Sequence, residues 1–172
     1  MEPDVIEANP AQASAATAAP MDERALLAWI DAHYRAMPPV AALQPAPARF
    51  EGDALHLAAP LAANVNDKGC AFGGSLVSLM TLAGWGLVTL QLRRAGLEAD
   101  VFVADTEVRY RAPLYADLQA HARPAEGQDW GEIADTLRST GRASAQLVLR
   151  VTLPEGGDAV RARARYVAIA KG

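Results

Sequence analysis

From Gly69 to Leu92 the chain reads GCAFGGSLVSLMTLAGWGLVTLQL, without one charged residue. Ahead of it lies the polar run Asn64 to Cys70, and behind it Arg93-Arg94-Ala95-Gly96. The two arginines suit the negative end of a helix dipole and Gly96 suits the position just past a helix end. The spacing therefore predicts one helix over roughly 71–94. Its apolar residues lie nearly all round, so it belongs at the centre of a core with other structure wrapped about it. By length alone the stretch could also cross a bilayer. Gly73, Gly74, Gly84 and Gly86, with polar Ser78, Thr81, Thr89 and Gln91, interrupt it and favour the core.

Downstream the period changes to two. In 101–112, Phe102, Ala104, Thr106, Val108 and Tyr110 alternate with Val103, Asp105, Glu107, Arg109 and Arg111, the pattern of a half-buried strand ended by Pro113. Leu118, Ala120 and Ala122 begin a second. Trp130, Ile133 and Leu137 suggest a short helix ending at Gly141, and Ala143 to Leu153 make a third strand. After the Glu155-Gly156-Gly157-Asp158 turn, Val160, Ala162, Ala164 and Tyr166 face one side of a fourth strand, and Arg161, Arg163 and Arg165 the other.

Upstream, residues 22–36 form a helix capped by Asp22, with Leu26, Trp29, Ile30, His33 and Met37 as its stripe and Pro38-Pro39 as its stop. His33 there is a packing histidine. Residues 41–49 fit an edge strand or a loop, and 54–59 a short strand. One all-round apolar helix followed by four strands with mostly short connections predicts an α+β fold, a curved antiparallel sheet around that helix. A ferredoxin-like layout shares the pattern but not the all-round apolar helix.

Bulk properties narrow the function. The net charge of -4 argues against a nucleic-acid binder. The single cysteine, Cys70, excludes an intrachain disulfide and any cysteine-built zinc site, and fits a reducing, cytoplasmic setting. His33, His56 and His121 are scattered along the chain, so no metal site is expected. Residues 1–20, rich in Ala, Pro and Ser, read as a disordered tail without a secretory pattern, leaving 21–172 as one domain. An alanine-rich core with few aromatics favours burial against a second copy.

The chemistry concentrates in Asn66-Asp67-Lys68-Gly69-Cys70-Ala71-Phe72-Gly73-Gly74-Ser75. Here a polar loop passes through a glycine pair into the start of a buried helix, where unpaired amides can donate to a developing negative oxygen. The glycines serve equally well to let loop, helix and sheet pack closely.

The pattern Asn66-x-x-Gly69-x-x-Phe72-Gly73-Gly74 resembles the loop and helix start of hot-dog acyl-CoA thioesterases. The run Phe72-Gly73-Gly74-Ser75-Leu76 through Ala83-Gly84-Trp85-Gly86-Leu87 is similar to the thioesterases termed YiiD C-terminal-domain-like. The segment Ala104 to Tyr110 resembles the strand after their helix. The resemblance spans about residues 22–170. It implies a hot-dog fold, homodimers or dimers of dimers with sites at the interface, and hydrolysis of an acyl thioester of coenzyme A or acyl carrier protein without cofactor or metal. By carry-over, Asn66 positions water or carbonyl, Gly73 and Gly74 supply the oxyanion contact, and Phe72 walls the acyl tunnel. Cys70, Ser75 and Thr81 also meet the substrate.

Cys70 and Thr81 stand where related groups carry their carboxylate, leaving Asp67 as the nearest acid and candidate base, with Cys70 as a rival nucleophile. Arg161, Arg163 and Arg165 would meet carrier phosphates or an acidic carrier protein, or serve as a charged edge against aggregation. A non-catalytic acyl-thioester binder, a hot-dog dehydratase or isomerase, and a membrane-anchored interaction protein are the competing functions.

Overall fold

The alternating segments assemble into one sheet in the computed structural model, which describes residues 22–171. The tail expected over 1–20 lies outside the described residues. The strands are β1 (Ala46–Glu51), β2 (Ala54–Ala59), β3 (Ala99–Tyr110), β4 (Leu118–Pro124), β5 (Arg142–Thr152) and β6 (Asp158–Ala170). They lie antiparallel in the order β1-β2-β4-β5-β6-β3. Four α-helices accompany them among the described residues, α1 (Glu23–Arg35), α2 (Pro38–Ala41), α3 (Gly73–Arg94) and α4 (Trp130–Thr140), with a 3-10 turn at Leu61–Ala63.

One face of the sheet is apolar because every second side chain is. Ala143, Ala145, Leu147, Leu149 and Val151 of β5 are buried, as are Ala162, Ala164 and Tyr166 of β6. This face closes on α3, which contacts β2 through β6, and the small alanines let the sheet curl closely around it. The result is a hot-dog fold. The helix long enough to cross a membrane is thus the centre of the core: 72% of its most apolar window is buried.

Two tyrosines seat α3. Tyr166 of β6 donates to the Thr81 carbonyl at 2.9 Å and Tyr34 of α1 to the Leu82 carbonyl at 2.7 Å. Their hydroxyls approach the helix backbone where it lacks side chains, at Gly84 and Gly86 respectively. Burial raises the pKa of both phenols, so they remain neutral donors at ordinary pH.

The structure corrects one local expectation and refines two others. The period-two pattern over 101–112 is broken by a bulge between Val103 and Asp105. It puts Phe102 opposite Val167, while Thr106 and Val108 stand opposite the inward Ala164 and Ala162, since one extra residue exchanges the faces. Pro38 and Pro39 do not simply stop α1; they open α2, where a missing amide is tolerated in the first turn. The ambiguous 41–49 segment contains the start of β1, an edge strand whose register shifts between Pro47 and Arg49, a setting in which a sheet tolerates proline.

Candidate active site at the start of the long helix

Residues 64–75 form a tight turn tied to the body from both ends. Asn64 is buried, donates to the carbonyls of Leu43 at 3.0 Å and Pro60 at 2.8 Å, and accepts the Phe72 amide on its own carbonyl at 2.7 Å. Ala71 donates to the Leu114 carbonyl at 2.8 Å. Inside this frame Asn66 organises the turn. Its side-chain oxygen accepts the amides of Lys68 (2.8 Å) and Cys70 (3.2 Å), and its Nδ2 donates to Cys70 Sγ at 3.2 Å. Gly69 takes the left-handed conformation, φ 78°, that lets the loop double back.

The Phe72 amide is consumed by Asn64, and Leu76 already donates to the Phe72 carbonyl at 3.1 Å. That leaves the amides of Gly73, Gly74 and Ser75 without an intrahelical partner, and none of them donates to backbone outside the helix. Three donors therefore gather at the positive end of a 22-residue helix, an arrangement that stabilises negative charge. No side chain caps this terminus.

Exposed aromatic side chains frame the amides. Phe72 is 56% exposed and Tyr110 59%, and Tyr110 Oη donates to the Gly73 carbonyl at 3.1 Å. A Cβ at Gly73 would meet the Tyr110 ring at 3.3 Å, and one at Gly74 would run into the Phe72 ring. Close packing, one of the two readings the glycine pair allowed, is thus present at both positions.

The expected site residues fall into two groups. Asn66, Cys70, Phe72, Gly73, Gly74 and Ser75 come together in this one segment. Cys70 and Ser75 are buried there, whereas the Asp67 carboxylate is 80% exposed and paired with Lys68 Nζ at 2.8 Å. Thr81 lies two turns along α3, its carbonyl engaged by Tyr166. Arg161 and Arg163 lie on the outer, exposed face of β6 with Arg165, across the sheet from the helix. Arg165 is held by Asp105 at 2.6 Å and Arg161 by Asp158 at 3.1 Å.

Asn64, Tyr110 and Leu114 were not singled out by the sequence. Tyr110 carried a faint signal, an aromatic at the last position of a strand before Pro113. The two other contacts depend on tertiary folding. The histidines scattered in sequence are not all scattered in space: His56 and His121 face each other across β2 and β4 with Nδ1 atoms 2.6 Å apart. His33 is stacked between Trp29 and Trp85.

A curved sheet wrapped on one helix, whose start carries unpaired amides beside two exposed aromatic side chains, defines a thioesterase-like hot-dog protein. Solved structures agree on the architecture. A protein of unknown function from Chlorobaculum tepidum is 23% identical, with TM-score 0.80 over 91% of this chain and 99% of its own. A protein from Shewanella oneidensis described as a "putative thioesterase" is 27% identical, with TM-score 0.75 over 84% of this chain and 97% of its own. A Haemophilus influenzae thioesterase is 15% identical with TM-score 0.65 over 90% and 95% of the two chains. The family described as "Putative thioesterase (yiiD_Cterm)" matches residues 30–170, and the chain belongs to it.

Proposed function

We propose that the protein hydrolyses an acyl thioester of coenzyme A or acyl carrier protein to the free acid. The observation that carries this reading is the cluster of unpartnered amides at Gly73, Gly74 and Ser75. A thioester carbonyl oxygen placed there gains donors as it becomes an oxyanion, where such contacts are worth most. Water adds to the carbonyl carbon, a C–O bond forms, the C–S bond breaks, and the departing sulfur takes up a proton. Phe72 borders the acyl chain, with Cys70, Ser75 and Thr81 along its path.

Asn66 has one Nδ2 hydrogen beyond its contact to Cys70 with which to orient the water or the carbonyl. Asp67 is the acid nearest in the loop and takes the water's proton in this scheme. For that it must exchange Lys68 for the water, which a second subunit covering the loop would favour. Such a subunit has a place to dock. β3 is a 12-residue edge strand, and exposed Phe102, Val103 and Tyr110 lie along it; an unprotected edge is a template for pairing. The reading therefore includes a homodimer, or a dimer of dimers, in the cytoplasm.

A panel of acyl-coenzyme A and acyl-carrier-protein substrates, followed by thiol release, tests the activity. Asn66→Ala lowers turnover, and Asp67→Asn lowers it about a hundredfold or more if Asp67 is the base. Full turnover in both variants would remove the assignment. Tight binding of acyl thioesters without any thiol release would instead make the chain a binder.

A further inference from the structure

On the outer face of the sheet, away from α3, lies a groove of about 1170 Å³. Its floor is made by β3, β5 and β6, and its wall by the 124–128 segment, pinned where Gln128 Oε1 accepts the Gln146 amide at 2.8 Å. Into it face Arg109, Arg111, Arg123, Arg161 and Arg163, against Glu107 and Glu126. Five cations and two anions leave the groove three positive charges in a chain whose net charge is -4.

One row of the groove works against the sheet's own stability, whereas in the next Glu107 stands opposite Arg163. Arg150, Arg161 and Arg109 stand directly opposite one another across β5, β6 and β3, and like charges in such positions repel. Arg109 pairs with Glu107 at 2.6 Å and Arg161 with Asp158 at 3.1 Å. Arg111, Arg123 and Arg163 take part in none of the ion pairs formed among the described residues. In the next row Arg123 and Arg163 flank Val148, so their strands are two spacings, about 10 Å, apart. Guanidinium groups so spread fit several anionic groups on one ligand, because each can fork onto phosphate oxygens.

We infer that this groove binds a nucleotide carrying several phosphate groups, the handle of coenzyme A. This rests on the thioester reading above and deepens it, by choosing between the two carriers. A concave site of this size, walled on one side by the 124–128 segment, suits a small, multiply charged ligand better than the broad flank of an acidic protein. The groove also borders the reaction site in sequence: Arg111 follows Tyr110, which holds the Gly73 carbonyl. Of the three arginines expected to meet the carrier, Arg161 and Arg163 line this groove, while Arg165 is spent on Asp105. Arg111 and Arg123 complete the set.

The test uses adenosine 3′,5′-bisphosphate, which has no thioester, titrated calorimetrically into the full chain. Binding is expected to weaken as salt rises. Arg123→Ser and Arg163→Ser should each raise Kd about tenfold, the size of one lost charge-assisted contact. Arg35→Ser, an equal charge change on α1, should leave Kd alone. No binding, equal Kd in all three variants, or tight binding of unacylated acyl carrier protein that the two groove variants abolish would each overturn the inference. Because hydrolysis is not read out, failure here leaves the thioester reading standing. Retained nucleotide binding without hydrolysis would strike only that reading.

Discussion

Replacing Gly84 with alanine asks whether α3 is seated as described. In an exposed helix interior this change stabilises by about 1 kcal/mol, since alanine is the better helix former. Here the new methyl would overlap Tyr166 Oη, with ring atoms Cζ at 2.6 Å and Cε2 at 2.7 Å. Tyr166 is fully buried and its hydroxyl is tethered to the Thr81 carbonyl, so the ring has no solvent to swing into. Overpacking of this kind costs about 1–3 kcal/mol, and breaking the tether adds about 1 kcal/mol. After the propensity gain, a net loss of about 1–3 kcal/mol remains. In urea unfolding at fixed protein concentration, with an m-value near ~2 kcal/mol/M, the midpoint should fall by about 0.5–1.5 M. Tyr166→Phe frees the ring from its tether, so Gly84→Ala should cost less in that background, with a coupling of about 1 kcal/mol. A midpoint that rises in the single Gly84→Ala variant would refute the packing of β6 on α3.

Two further outcomes follow from the sheet. Burial, then the neighbouring His56, Arg150 and Arg49, push His121 down to about 4, so the unfolded chain takes up its proton first as pH falls; stability should be full above pH 6.5 and drop between 6.5 and about 4, by about 1–2 kcal/mol once the half-exposed ring's screening is allowed for. A His121→Gln variant should flatten that slope, and an equal slope in both proteins would clear the histidine pair of the effect. Light scattering in plain buffer should report a dimer or tetramer, and Val103→Lys on the β3 edge should shift it toward monomer; a monomeric parent chain would end the interface proposal.

The sheet was legible because its signal is local and repeated. Ala143 to Val151 and Val160 to Tyr166 carry alternation that a one-sided core explains, and the glycines and polar residues within the uncharged run at 69–92 favour the inside of that sheet over a bilayer. What escaped was set by distant partners. The β3 bulge exchanges the faces of Phe102 and its downstream neighbours, yet no residue between Val103 and Asp105 announces it. Its position is fixed by pairing with β6, which brings Asp105 beside Arg165. The His56–His121 contact likewise exists only through the register of β2 on β4.

The candidate site divides along the same line. Everything that one segment supplies could be seen in it: the Asn66 turn, the glycine pair, the aromatic at Phe72 and the free amides that any helix start provides. The framing contacts come from 37 and 43 residues further along, at Tyr110 and Leu114, or from the preceding loop, at Asn64. Asn64 matters most among these, because by taking the Phe72 amide it decides which donors stay free. Were its carbonyl turned away, Phe72 would add a fourth donor and the positive end would move back by one residue. With it in place, donation is confined to Gly73, Gly74 and Ser75, the positions where two glycines leave the backbone bare. The asparagine that the motif points to shapes the loop, and the one it passes over sets which amides of the helix start stay free.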